Sequence, residues 1–113
     1  MKKNIQRFIS WLQELFQTPY RYVYIDEIPE QVLEKTIYIV GTEGFPWLLL
    51  FICPCGCQQK IHLNLLSNTR PYWKYTLSRE NKITVNPSIF RKVGCGSHFF
   101  VIKSKIKWTD SYE

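Results

Sequence analysis

The sequence has no long uninterrupted run of hydrophobic residues. Its longest apolar run is FPWLLLFIC at residues 45–53, well short of the roughly 20 residues that a membrane-spanning helix needs. Polar residues interrupt the basic N-terminal segment, and no small-residue cleavage site follows it, so it lacks the pattern of a signal peptide. We therefore expect a cytoplasmic protein and interpret FPWLLLFIC as a buried strand.

Acidic residues are nearly missing from residues 45–109, where Glu80 is the one acid. The same region has ten basic residues: Lys60, Arg70, Lys74, Arg79, Lys82, Arg91, Lys92, Lys103, Lys105 and Lys107. The first 44 residues, in contrast, have five basic and six acidic residues. This imbalance favours an anionic partner, either nucleic acid or an acidic protein surface. A solubilising role for charges on outward strand faces is the alternative.

Cysteine is scarce, with four residues in 113, yet three of the four lie within CPCGC at residues 53–57. Because cytoplasmic thiols stay reduced, such a cluster indicates metal binding or redox chemistry before a disulfide. A second short motif, CGSH, follows at residues 95–98. Zinc prefers four thiolate or imidazole ligands, usually supplied as two short-spaced pairs. The sequence therefore predicts one zinc-knuckle-like site with five candidate ligands for one ion: Cys53, Cys55, Cys57, Cys95 and His98.

We expect a structural zinc site, because a catalytic one usually has a carboxylate nearby and this region has almost none. Three alternatives remain open at this point: an iron–sulfur cluster, buried cysteines without a metal, and a thiol enzyme that uses Cys55 with His98 as its base. Ser88 lacks the G-x-S-x-G setting of a nucleophile elbow, and we expect it to cap a short turn. No catalytic residue is therefore assigned.

Helical periodicity is confined to the N-terminus. Apolar residues there follow i, i+3, i+4 spacing, which predicts an amphipathic helix over residues 1–18 that ends before Pro19. Short alternating segments separated by turn residues then recur at intervals of about ten residues, which is typical of a small antiparallel sheet or sandwich. The predicted fold is thus mainly β, with a β-rich zinc-binding domain at residues 19–113. Within it, Trp73 and Tyr75 share one strand face and either fill the core or stack on bases.

An ordered set of motifs resembles a family of small bacterial proteins of unassigned function. The motifs are TIYIVG, CPCGC, IHLNLL, RPYW, ITVNPSIF, GCGSHFFVI and IKW, and they cover about residues 36–108. Family members are often encoded beside a ubiquitin-like protein, an E1-like adenylyltransferase and an E2-like protein. The resemblance implies that the five candidate ligands form a metal cluster, and it marks Pro87 and Ser88 as motif positions of unknown role. This sequence departs from the family at Gln58, where Gly is usual, and at Phe90, where Trp is frequent.

The resemblance implies an accessory or E3-like factor in a bacterial ubiquitin-like conjugation pathway. We accordingly predict a zinc-stabilised, non-enzymatic adaptor that docks an E2-like or ubiquitin-like partner through its basic surface or its N-terminal helix. The alternatives are a zinc module that binds nucleic acid through the basic face and the thiol enzyme using Cys55.

Overall fold

A computed structural model of the chain describes residues 18–92 and 94–109. Except for Thr18, the predicted N-terminal helix lies outside these residues. The described residues form eight strands: β1 Arg21–Ile25, β2 Thr36–Thr42, β3 Phe45–Ile52, β4 Lys60–Asn64, β5 Lys74–Leu77, β6 Ile83–Phe90, β7 His98–Ile102 and β8 Lys105–Trp108. The prediction of a mainly β fold is thus confirmed for the described part of the chain.

The strands form two four-stranded sheets. The first sheet has the order β1-β2-β3-β4, and the second has the order β5-β6-β7-β8. All neighbours are antiparallel except β1 and β2, which run parallel. Because parallel neighbours need a crossover connection, residues 26–35 pass across the sheet between these two strands. Among the described residues, no helix is long and apolar enough to cross a membrane.

The core lies between the two sheets, because alternate residues of their strands turn inward and pack as one cluster. This follows from the period-two alternation of side chains along a strand. Phe51 of the first sheet meets Phe99 of the second edge to face, with ring centroids 6.4 Å apart. Trp73 and Tyr75 pack against the same cluster, as the core interpretation of these aromatic residues predicts. The arrangement is a β-sandwich.

The outer face of the first sheet is covered by its own chain. Tyr38, Val40, Leu48 and Leu50 form a second apolar cluster there, and Val32 from the crossover segment packs on it. The Tyr38 hydroxyl also accepts a hydrogen bond from the backbone amide of Leu33 at 3.0 Å. This sheet is therefore buried on both faces around β2 and β3, which explains the near-continuous apolar runs of those strands.

Truncation of Phe99 should destabilise the protein strongly. Phe99→Ala removes a fully buried ring and should lower the free energy of unfolding by about 3–5 kcal/mol in urea titrations. The matched control is Ile102→Ala on the outer side of the same strand, where the side chain is 41% exposed. That variant should lose far less, and equal losses would contradict the assignment of the two faces.

Candidate functional site

The four cysteines meet at one end of the sandwich. Cys53, Cys55 and Cys57 lie in the loop between β3 and β4, and Cys95 lies in the loop between β6 and β7. Their Sγ atoms all lie within 4.8 Å of one another. The Sγ of Cys53 is 3.4 Å from that of Cys55 and 3.7 Å from that of Cys95. The two predicted motifs thus come together from separate sheets as one candidate metal centre.

The CPCGC loop is closed by backbone geometry. The Cys53 amide donates to the Gln59 carbonyl at 2.8 Å, and Gly56 has a φ of 96°. Gln58 has a φ of 66°, which is a left-handed conformation that favours glycine. Here the side-chain amide of Gln58 donates to Glu34 Oε1 at 3.2 Å.

The four thiols differ in their exposure to solvent. Cys53 is buried with 2% of its surface exposed, and the other three are exposed. Burial raises the pKa of the Cys53 thiol to about 11. Hydrogen bonding by the Ser97 side chain, whose Oγ lies 3.1 Å from the Cys95 Sγ, lowers the pKa of Cys95 to about 6. Cys95 is therefore a thiolate at neutral pH, which is the form that binds a metal ion.

Two further side chains border the thiols. Ser97 is buried, and its Oγ lies 3.8 Å from the Cys53 Sγ. Arg91 directs its guanidinium towards the Cys57 Sγ at 3.8 Å and donates to Gln59 Oε1 at 3.1 Å. The Arg91 amide also donates to the Ser97 carbonyl at 2.8 Å, which closes the β6–β7 loop. Residues 91 and 97 therefore connect the thiol cluster directly to the ends of β6 and β7.

A serine and a histidine meet on those same two strands. Ser88 Oγ lies 3.0 Å from His98 Nε2. The Phe90 ring stacks on the imidazole with centroids 4.7 Å apart and planes at 21°. Phe90 is the register partner of His98, whereas their neighbours Ile89 and Phe99 point into the core. The Ser88–His98 pair consequently lies on the outer face of the second sheet.

Ser88 lies within an irregularity of β6. Val85 pairs with Val101 and Ile89 pairs with Phe99, so four steps along β6 oppose two steps along β7. Such bulges bend a strand and redirect its side chains, and they are frequent beside active sites. Ser88 is therefore part of a strand and does not cap a turn. Its carbonyl accepts a hydrogen bond from Trp73 Nε1 at 3.3 Å, which ties the bulge to the core aromatic cluster.

This pair has the first two elements of a nucleophilic site. A hydroxyl within hydrogen-bond reach of an imidazole can pass its proton to the ring as it attacks. For Nε2 to accept that proton, the neutral imidazole must carry its hydrogen on Nδ1. Among residues 18–92 and 94–109, no carboxylate hydrogen-bonds the His98 ring, so the described constellation is a dyad oriented by the stacked Phe90.

Of the five predicted ligands, the structure brings the four cysteines together. The group of ligand atoms within 4.8 Å of one another contains no His98 atom in the described part of the chain. The sequence reasoning did not find the Ser88–His98 contact, because it considered Ser88 only against the G-x-S-x-G pattern. The usable signal was a serine and a histidine ten residues apart, on either side of the β6–β7 loop.

The described residues thus define a two-sheet β domain with a four-thiol candidate metal centre and a serine–histidine pair beside it. The chain belongs to the family described as bacterial ubiquitination-like system serine protease (BubE), whose model matches residues 24–109. It therefore has a role in a bacterial ubiquitination-like system, and the predicted association with such systems is confirmed. No curated protein and no solved structure matches the chain significantly.

Loss of one thiol should loosen the β6–β7 loop. Cys95→Ser removes the loop's contact with Cys53, so the Arg91 amide should exchange its hydrogen at least several-fold faster. The Ser78 amide, which donates to the Lys82 carbonyl at 2.9 Å in the β5–β6 turn, provides the internal control and should be unaffected. Unchanged exchange at Arg91 would show that the thiols do not hold this loop.

Proposed function

We propose that this chain is a serine peptidase of the bacterial ubiquitination-like system, with Ser88 as nucleophile and His98 as general base. The observation that carries the proposal is the 3.0 Å contact between Ser88 Oγ and His98 Nε2. The family description, which names a serine protease, supports it independently. The substrate class that fits both is an amide bond at the carboxyl end of a ubiquitin-like protein.

The reaction would proceed by acyl transfer. Ser88 Oγ attacks the carbonyl carbon of the scissile amide while His98 Nε2 takes the hydroxyl proton. The imidazolium then gives this proton to the leaving amine, the C–N bond breaks, and an ester to Ser88 remains. A water molecule next attacks the ester and gives its proton to His98. Finally His98 returns a proton to Ser88, which releases the carboxylic acid product and restores the dyad.

The stacked ring of Phe90 has a positioning role in this scheme. An imidazole that serves as a base must keep Nε2 directed at the nucleophile, and a third group usually provides that orientation. Here the ring of Phe90 lies almost parallel to the imidazole. The Trp that is frequent in the family at this position would supply a larger stacking surface, which is consistent with the same role.

The four cysteines are proposed to hold one zinc ion. A tetrahedral site with Zn–S bonds of about 2.3 Å separates its sulfur atoms by roughly 3.8 Å, close to the 3.7 Å between Cys53 and Cys95. Four thiolates from two loops are a typical structural zinc set, and zinc would supply charge compensation and a cross-link between the loops. His98 is then free to act as the base.

The adaptor role predicted from the sequence stays a prediction. Docking of an E2-like or ubiquitin-like partner is compatible with a peptidase, because an enzyme of this kind must also hold its protein substrate. What favours a catalytic role is the Ser88–His98 contact, since a purely adaptor surface has no need of a serine hydroxyl aimed at an imidazole nitrogen.

Alanine at Ser88 should abolish cleavage. With a ubiquitin-like protein fused to a C-terminal reporter, Ser88→Ala and His98→Ala should each lower kcat by roughly 10³-fold or more, because each removes half of the proton-transfer pair. Cys55→Ser removes a proposed zinc ligand and not the nucleophile, so it should lower kcat far less than Ser88→Ala does. Loss of activity in Cys55→Ser, with Ser88→Ala unaffected, would instead support the thiol enzyme.

Zinc content should distinguish the metal-binding cysteines from the Ser88–His98 pair. The purified protein should be colourless and contain about one equivalent of zinc by elemental analysis. Cys53→Ser should lose the zinc and unfold at a lower midpoint temperature. His98→Ala should keep its zinc while losing activity. A zinc-free His98→Ala protein would assign the imidazole to the metal centre, and absorption bands from iron would exclude zinc.

A further inference from the structure

Charge is divided between the two halves of the sandwich. Residues 21–64, which build the first sheet, have three basic side chains against five acidic ones. Residues 70–109, which build the second sheet, have nine basic side chains, and Glu80 is their one acid. Glu80 lies in the turn between β5 and β6, outside the strands. The second sheet and its loops thus carry an excess of positive charge that their own acidic residues do not balance.

The outer faces of the two sheets also differ in how far other parts of the chain cover them. The crossover segment packs on the outer face of the first sheet through Val32. Within residues 18–92 and 94–109, no strand packs against the outer face of the second sheet. Two of its apolar side chains are substantially exposed, with Phe90 at 48% and Ile102 at 41%. Aromatic side chains are enriched in protein interfaces, and the exposed Phe90 lies against the His98 ring.

Lysines flank the Ser88–His98 pair on this face. Lys74 of β5 is the register partner of Asn86, at the start of the bulge that contains Ser88. On the other side, Lys107 of β8 is the register partner of Phe100, two residues after His98 on β7. Both lysines are exposed. Lys105, the register partner of Ile102, is a further cation on the same face.

We infer that the outer face of the second sheet docks an acidic surface of the protein substrate and so brings the substrate's carboxyl end to Ser88. This inference rests on the proposed function, and it identifies the folded part of the substrate that the enzyme recognises. Charge complementarity across an interface mainly raises the association rate and suppresses wrong partners. The lysines therefore speed binding of the folded substrate, and the Ser88–His98 dyad cleaves the amide bond.

The test compares a folded substrate with its isolated cleavage site. The first probe is the ubiquitin-like protein of the system fused to a C-terminal fluorescent reporter, and the second is an uncharged peptide spanning the same cleavage site. Lys74→Glu and Lys107→Glu should each raise KM for the fusion about tenfold with kcat nearly unchanged, because like charges then face each other. Cleavage of the peptide should stay at the wild-type level.

Lys60→Glu is the matched control. It makes the same charge change at an exposed position on the first sheet, so its KM for the fusion should remain near the wild-type value. The KM for the fusion should also rise with salt in the wild-type protein and less so in Lys107→Glu. Equal KM values for wild type, Lys74→Glu and Lys107→Glu would overturn the docking surface and leave the proposed function intact.

Other occupants of the face give different results. If the wild-type protein cleaves neither probe, the proposed function fails and the docking inference falls with it. Salt-sensitive binding of a 20-nucleotide DNA that Lys107→Glu abolishes, with the KM for the fusion unchanged, would make the face a nucleic-acid surface. A dimer by light scattering that becomes monomeric in Lys107→Glu, again with unchanged KM, would make it an interface between copies of this chain.

Discussion

The contact between Cys53 and Cys95 is the constraint on which the functional end of the molecule depends. Cys53 continues a core strand of the first sheet, whereas Cys95 lies in the loop that joins β6 and β7 of the second. Their sulfur atoms are 3.7 Å apart, so whatever holds the thiols together also fixes that loop against the core. The proposed zinc ion, bound by both thiols, would cross-link the two sheets at this point.

The position of the serine–histidine pair follows from that constraint. Ser88 and His98 lie on the two strands that the loop joins. The backbone hydrogen bond from Arg91 to Ser97 lies between the histidine and the thiols along these strands. Ser88 shares the outer face of the second sheet with Phe90 and His98. In the proposed function the thiol cluster has a structural role, and the chemistry belongs to the outer face of the second sheet. A small domain buries a limited share of its surface, so the proposed zinc cross-link would add to the stability of this end of the sandwich.

Local signals in the sequence predicted much of this arrangement. Alternation and turn spacing indicated the β fold, and the spacing of CPCGC and CGSH indicated a metal centre made from two loops. The parallel pairing of β1 with β2 was not predicted, because strand neighbours depend on where the crossover segment packs and not on periodicity. The contact of Ser88 with His98 was missed because Ser88 was expected to cap a turn, whereas β6 continues through Phe90 with an irregularity between Val85 and Ile89. The C-x-x-H spacing made His98 a fifth candidate ligand, and in the structure β7 begins at His98, whose Nε2 lies 3.0 Å from Ser88 Oγ.

The central claim is that Ser88 is a nucleophile activated by His98, and a serine-directed fluorophosphonate probe tests it most directly. The probe phosphonylates the hydroxyl of an activated serine, and mass spectrometry of the digested protein locates the adduct. The account predicts a single adduct on the peptide containing Ser88, formed by the wild-type protein and lost in His98→Ala while the zinc content stays the same. An adduct-free wild-type protein of full zinc content, or labelling at Ser88 that does not depend on His98, would contradict it.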